Sequence, residues 1–447
     1  AFMQFVKRIS KYFFIIFIVP STMLSAQENA PFTRYGLGDV FPSENMISRA
    51  MGGVATGYIG GAVLNTVNPA SYGSLNVTTY DLGISIDARS LISNLPPDKY
   101  RSVNFAPSYL QLGFPLDRKK HVGLVFGLRP ANRINYSVAE NVFQVDSLQN
   151  IYDGDGGLYQ VFAGLGKRWK YVSLGVNGGF QWGSKNIGSK KVFTSDSIVY
   201  NRSNSIDTTR FWGLFVNPGI ALTIPLHEVK ASDNKEASKT FITIGASATL
   251  KSTLKGNTTS RIYTYSNGVN GEIIPIDTIK NVLNQTGEID LPLSYRAGFA
   301  IEKTISDRYT RWRLGVDYNA ARWSDYRFFE QTDQVNDAWT IRLGGEYTPN
   351  LLSSRSAWQR TTYRAGFYTG KDYLNPDGNG YNVWAITTGF GFFIRKYDRD
   401  VNKVALINTA FEYGKRGSKV NNITENFFKL SVGITLTDYW FFKRKFE

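Results

Sequence analysis

From Trp312 every second residue is apolar or aromatic: Trp312, Leu314, Val316, Tyr318 and Ala320. Arg313, Gly315, Asp317 and Asn319 stand between them. The alternation returns at Leu291, Leu293, Tyr295, Ala297, Phe299 and Ile301, at Trp339, Ile341, Leu343 and Tyr347, and at Phe428, Leu430, Val432, Ile434 and Leu436. Successive side chains of a β-strand point to opposite faces, so each segment predicts a strand with one apolar and one polar side. Segments of this kind are read at 78–91, 104–116, 121–138, 158–169, 171–184, 208–225, 239–255, 289–303, 310–322, 338–349, 361–370, 381–395, 403–414 and 426–437. The count is about fourteen, an even number that returns both chain ends to one side of a closed barrel. Lys191 to Tyr200 leave room for one more hairpin, which would make sixteen strands.

The connections alternate too. Those at 117–120, around Lys170, at 304–309 and at 396–402 are tight, whereas 139–157, 185–207, 256–288 and 323–337 are long and polar. Short periplasmic turns opposite long outer loops are the habit of a transmembrane β-barrel. The stretches 226–238 and 350–360 are longer than a minimal turn and are candidate periplasmic contacts. The segments are at least as long as the ~9–11 residues a tilted spanning strand needs. With lipid outside, the apolar rows face hydrocarbon and the alternate residues line the lumen. Arg296, Arg313, Asp317, Arg342, Glu346 and Arg364 are therefore read as inner wall. A charge on the lipid face near the midplane would cost about 2–4 kcal/mol, which fixes the direction of the faces.

Composition agrees with this reading. The chain holds 26 Tyr, 30 Phe, 9 Trp and 42 Gly in 447 residues, and its mean hydropathy is −0.24. A barrel greasy outside and wet inside has such a mixture, and no stretch after the first thirty residues is apolar enough for a spanning helix. Those thirty residues read as an export signal. Lys7, Arg8 and Lys11 precede an apolar run from Tyr12 to Val19, and Leu24-Ser25-Ala26 before Gln27 is a small-residue cleavage site. No cysteine is present, so disulfides and lipid attachment through cysteine are excluded. Export and a barrel together place the chain in the outer membrane of a Gram-negative bacterium. Trp182, Trp212, Trp323 and Trp384 are expected in the interfacial girdles.

The net charge of +15 raises the question of nucleic acid. The basic residues instead sit in short connections: Arg118-Lys119-Lys120, Lys167-Arg168 with Lys170, Arg395-Lys396 and Lys443-Arg444-Lys445. Scattered at strand ends, they form no single patch, and nucleic acid is not an expected partner. Basic turns beside a bilayer attract anionic headgroups.

Between signal and first strand lie about fifty residues that do not read as strand. Gly52, Gly53, Gly57, Gly60 and Gly61 break any helix, Asn68-Pro69-Ala70 reads as a stop, and apolar side chains run from Met51 to Val67. The segment makes sense as a plug folded inside a barrel. Arg49-Ala50-Met51-Gly52-Gly53-Val54-Ala55 followed by Asn68-Pro69-Ala70 resembles the hatch of the FadL-type outer-membrane transporters, the long-chain fatty acid and hydrocarbon uptake barrels. The closing Trp440-Phe441-Phe442-Lys443-Arg444-Lys445 is similar to the ends of Bacteroidetes-type members. The resemblance implies an N-terminal hatch and a fourteen-strand barrel. Together with the signal and strand readings, it divides the chain into 1–26 as signal peptide, 27–77 as hatch, 78–437 as barrel and 438–447 as a basic aromatic tail. Arg49, Gly52, Gly53, Asn68, Pro69 and Ala70 are the hatch motif.

Chemistry of other kinds is not legible. The two histidines, His121 and His227, fall near predicted periplasmic turns, away from any serine nucleophile in the barrel. No metal-ligand spacing occurs. Asp153-Gly154-Asp155-Gly156-Gly157 and Asn375-Pro376-Asp377-Gly378-Asn379-Gly380 lack the acidic twelfth residue of a calcium loop and read as turns. An enzyme is not expected, nor a cofactor. Two roles remain. The resemblance implies passive uptake of a hydrophobic or amphipathic small molecule. The charged lumen wall suits such a ligand poorly, except for a head group at Arg296, Arg313, Asp317, Arg342, Glu346 or Arg364. Uptake is the leading expectation; the charged wall and the connections at 226–238 and 350–360 motivate the alternative, a barrel subunit of an outer-membrane secretion or assembly complex. Expected partners are outer-membrane lipid, a hydrophobic ligand and other outer-membrane proteins.

Overall fold

The computed structural model describes residues 30–438, apart from 95–96, 144–146, 194–200, 231–236, 268–271, 306–309, 352, 354–355, 377, 396–403 and 419. The stretch 1–26 expected to be a signal peptide and nearly all of the expected tail at 438–447 lie outside the described residues.

A single antiparallel sheet closes on itself. Its strands are β1 (Thr78–Asn94), β2 (Pro97–Asp117), β3 (Val122–Phe143), β4 (Ser147–Arg168), β5 (Val172–Phe193) and β6 (Arg202–Val229). Two strands are interrupted: β7 (Ser238–Thr249 and Ser252–Asn267) and β8 (Ile273–Leu291 and Ser294–Ile305). There follow β9 (Thr310–Ala321), β10 (Ala338–Thr348), β11 (Thr362–Lys371), β12 (Asn382–Arg395), β13 (Val404–Arg416) and β14 (Ile423–Asp438). Pairing of β14 with β1, from Ile423 opposite Ser93 to Asp438 opposite Thr78, closes a barrel of 14 strands. The extra hairpin that would make sixteen does not form among the described residues: β5 and β6 pair directly from Val172 opposite Leu222 to Lys191 opposite Ser203.

The alternation behaves as its chemistry demands. On β9, Leu314 and Tyr318 are exposed outward at 61% and 40%, while Arg313, Asp317 and Asn319 are buried inside. Lipid covers the outer row, so exposure there is the apolar belt of a membrane barrel and not a packing defect. Trp182, Trp212 and Trp384 are on the outer surface. Trp323 is not. It lies buried on a one-turn 3-10 helix and stacks on Tyr373 at 4.6 Å.

Three expectations are corrected. The outer connections read as loops at 139–157, 185–207 and 256–288 are largely strand, because the hairpins continue their ladders above the membrane. With water on both sides, such extensions need no apolar row. Nearly every residue of Ile273–Leu291 is exposed. Asp153 to Gly157 accordingly belong to β4 and not to a turn. Second, the segments read as continuous over 239–255 and 289–303 break at Leu250-Lys251 and Pro292-Leu293. Proline has no N–H for the ladder, and Leu291 above the break packs against the interior cluster. Third, Asn68-Pro69-Ala70 begins a 3-10 helix, Pro69–Ser74, instead of ending structure. The Asn68 side chain accepts from Ala70 N, and proline occupies the first turn where no N–H is required.

Candidate functional site

Residues 30–77 lie inside the barrel, and most of their side chains are buried. The segment starts at the outer end, where Ala30 N donates to Asn135 O and Asp39 and Val40 pair with Arg133 and Asn132 of β3. It descends through the short helix Met46–Arg49, capped by Asn45, to reach the periplasmic end beside the turn after β4. Backbone approaches the wall directly. A Cβ on Gly344 would sit 2.0 Å from Met51 O, and Gly52, at φ +68°, has Leu343 O 2.7 Å from where its own Cβ would be. Small residues on both partners make this seat possible.

Charge ties the segment to the wall. Glu44, its carboxylate 2% exposed, takes Arg296 of β8 at 2.5 Å and Arg342 of β10 at 3.0 Å. Arg49 turns back on the same stretch and donates to Glu44 O, Pro42 O and Ser108 Oγ. Asp317 accepts three bonds from one turn of the segment, from Ala55 N at 2.7 Å, Thr56 N at 2.8 Å and Thr56 Oγ1 at 2.7 Å. Glu346 is surrounded by Arg313, Arg364 and Arg311 at 3.1–3.2 Å, while Arg313 also holds Glu302, Ile59 O and the face of Tyr58. At the outer mouth Asp39 pairs with Arg89 and Arg416, and those arginines engage Glu425, Asp87 and Asp372. Burial alone would raise the Asp39 carboxyl, but Arg416 and Arg89 outweigh it and hold it well below the ordinary range.

All six wall residues read from alternation are thus inner-wall side chains. Arg313, Glu346 and Arg364 form one cluster, Arg296 and Arg342 meet on Glu44, and Asp317 serves a separate turn. The motif residues divide likewise. Gly52 N donates to Thr387 Oγ1 of β12, Gly53 lies against the Arg342 guanidinium, and Asn68 donates to Thr56 O and Ile220 O. Pro69 and Ala70 pack against Gly175 and Gly219. The third cluster was missed. Arg89, Arg416 and Glu425 carry the same inward parity and were legible by it. Asp39 and Glu44 lie on irregular chain, where no period marks a facing.

Above the ion pairs the outer mouth is filled by an apolar cluster. Phe32 and Leu37 of the segment meet Trp323, Tyr326, Tyr373, Leu374 and Tyr381 of the outer connections. Each such burial contributes roughly 1.5–3 kcal/mol. Between this lid and the segment remains a cavity of about 390 Å³. Phe41, Leu158 and Phe215 supply apolar wall, and Arg129, Arg296 and Arg342 supply charge. Half-buried Arg129 donates to Gln160 and lies over the Phe162 ring.

The shape has known counterparts. The CymD monoaromatic hydrocarbon channel matches with a TM-score of 0.53 and 16% identity, over 91% of this chain and 99% of that one. The toluene transporter TbuX of Ralstonia pickettii matches at 0.54 and 14%, over 89% and 99%. A FadL homologue of Pseudomonas aeruginosa matches at 0.52 and 12%, over 90% and 99%. Identities this low establish the common fold; these neighbours are channels rather than enzymes. No curated protein matches the sequence. The closed barrel, its apolar belt and the FadL-type fold place the chain in the Gram-negative outer membrane. The family model for BamG matches residues 6–447, and with practically the whole chain inside that match the protein belongs to the BamG family.

Proposed function

We propose that this protein is a permanently plugged barrel that acts as a structural subunit of an outer-membrane secretion or assembly complex. The observation that carries this reading is the attachment of residues 30–77 to two separate stretches of the wall through Glu44 and Asp39, each held between two arginines. Releasing the segment separates both groups at once. A buried pair broken from one side costs about 3–5 kcal/mol, reduced to about 2–3 kcal/mol at Glu44 because its arginines keep some water, so opening costs about 5–8 kcal/mol before the lid is counted. At about 1.4 kcal/mol per tenfold, roughly one molecule in 10⁴ to 10⁶ would stand open. In this reading Arg296, Arg313, Asp317, Arg342, Glu346 and Arg364 anchor the plug, and Arg49, Gly52, Gly53, Asn68, Pro69 and Ala70 shape it to the wall.

Surfaces for partners support the reading. The periplasmic connection after β10 carries the short helix Ala357–Arg360, whose Trp358 is 70% exposed. Large exposed aromatics are typical interface anchors. Purification of tagged protein from native membranes in mild detergent tests the proposal. Stoichiometric partners that survive washing are expected; an isolated barrel would refute it.

A second reading, uptake of a hydrophobic or amphipathic molecule, is favoured by the 390 Å³ cavity, where Phe41 and Phe215 sit near Arg296. Saturable, substrate-dependent flux into proteoliposomes would establish it, and absence of flux with and without residues 30–77 would remove it.

A further inference from the structure

Two basic turns that are 46 residues or more apart in sequence meet at the periplasmic rim. The turn after β2 brings Lys119 and Lys120, and the turn after β4 brings Lys167, Arg168 and Lys170. Together with Trp169 and His121 they line one concavity of about 490 Å³, and none of the described residues lining it is acidic. Asp117, at the end of β2, accepts from the backbone N–H groups of Lys119 and Lys120 and lies 3.9 Å from Lys120 Nζ, with both side chains solvent-exposed.

The concavity is rigid. Arg168 N donates to His121 O at 3.0 Å, joining the turns, and His121 holds a left-handed backbone at φ 52°. Behind them Arg168 Nη1 reaches Ser74 Oγ of the lumenal segment at 3.4 Å. Burial without an acidic partner pushes the Arg168 guanidinium down from its ordinary range, so a bound anion would be favoured there.

The outer surface beside these cations is apolar. Leu116, Leu165 and Leu174 are exposed at 57%, 48% and 45%, and the rings of Trp169 and Tyr171 carry the ammonium groups of Lys167 and Lys170 at 5.0 and 4.9 Å. Aromatics with cations above and aliphatic side chains below mark the headgroup level of a bilayer. An acidic protein segment would satisfy the charges but not the aliphatic strip that continues into the belt.

We propose that this concavity is a binding site for one anionic phospholipid of the periplasmic leaflet. Its phosphate lies among Lys119, Lys120, Lys167, Arg168 and Lys170, and its acyl chains run along Leu116, Leu165 and Leu174.

Native mass spectrometry of the full-length protein in detergent, titrated with phosphatidylglycerol, tests this. Neutralising the patch (K119A, K120A, K167A and K170A together) is expected to weaken phosphatidylglycerol binding at least about tenfold. A control set at the outer end (K99A, K191A, K255A and K280A) is expected to leave it unchanged. Equal loss in both sets, or no loss in the first, overturns the proposal. So does phosphatidylcholine binding as tightly as phosphatidylglycerol. Displacement of the lipid by millimolar inorganic phosphate would make this a plain anion site, and displacement by oligoglutamate a protein-docking site; either overturns the lipid assignment. Photoactivatable phosphatidylglycerol on the wild-type protein needs no variant to fold. Labelling within 114–120 and 165–174 is expected, and labelling confined elsewhere refutes the site.

Discussion

Replacing Glu44 by Gln removes one charge and leaves its steric outline. The carboxylate is 2% exposed and bridges Arg296 and Arg342, whose side chains are 23% and 18% exposed to the cavity. Breaking a fully buried pair costs about 3–5 kcal/mol, mainly because the surviving charge is stranded. Both arginines retain some access to water, which reduces the expectation to about 2–3 kcal/mol. The loss falls on docking of the lumenal segment and not on the barrel, whose ladder Glu44 does not join. Amide hydrogen exchange at Ala50, Gly52 and Gly53 reports that docking, since their N–H groups bond to Met46 O, Thr387 Oγ1 and Ser48 O. Exchange there should quicken about 30- to 150-fold in E44Q, with strand amides of β4 and β5 unchanged. The triple variant E44Q/R296Q/R342Q should recover most of the protection, because no charge is left uncompensated. Less than threefold acceleration in E44Q would refute the tether. A triple variant worse than the single would show that packing, and not charge, held the segment.

Removing the Asp317 acceptor with D317A orphans Ala55 N, Thr56 N and the Thr56 hydroxyl, and is expected to destabilise the segment by about 2–3 kcal/mol, read as faster exchange at 55 and 56. A valine at Gly344 collides with Met51 O, so G344V should displace the segment and lower the heat-modifiability midpoint, whereas G380V, with open space around it, should not. The Asp39 carboxyl is held below its ordinary range, so its contribution is complete above about pH 4 and is lost only as pH falls through the lowered value. Exchange at Gly38 N, corrected for intrinsic rate, should be faster in D39N than in the wild type at every pH from 8 to 4. If Trp358 anchors a periplasmic partner, W358A should strip that partner during native purification while leaving the barrel folded.

Alternation alone carried the barrel. Where one face meets hydrocarbon and the other water, a two-residue period is obligatory, so Trp312 to Ala320 and the rows like it declared strand, facing and membrane in a single pattern. The same parity placed Arg296, Arg313, Asp317, Arg342, Glu346 and Arg364 on the inner wall. Beyond the hydrocarbon the rule lapses, and the tall outer hairpins, exemplified by Ile273–Leu291, carried no period to read. Residues 30–77 are irregular chain, and nothing local announces that Glu44 stands between Arg296 and Arg342 or Asp39 between Arg89 and Arg416. Those neighbours are 50 to 377 residues distant in sequence and meet only when the barrel closes. Trp323 shows the same limit from the apolar side: composition predicted a girdle, and the fold buried it in the lid with Phe32 and Tyr373. The two basic turns looked scattered until β2 to β5 set them side by side. Which way each side chain faces was local physics, written in every second residue. Which side chains meet, and hence where the lumenal segment is tied to the wall, depended on closing the sheet around its own N-terminal segment.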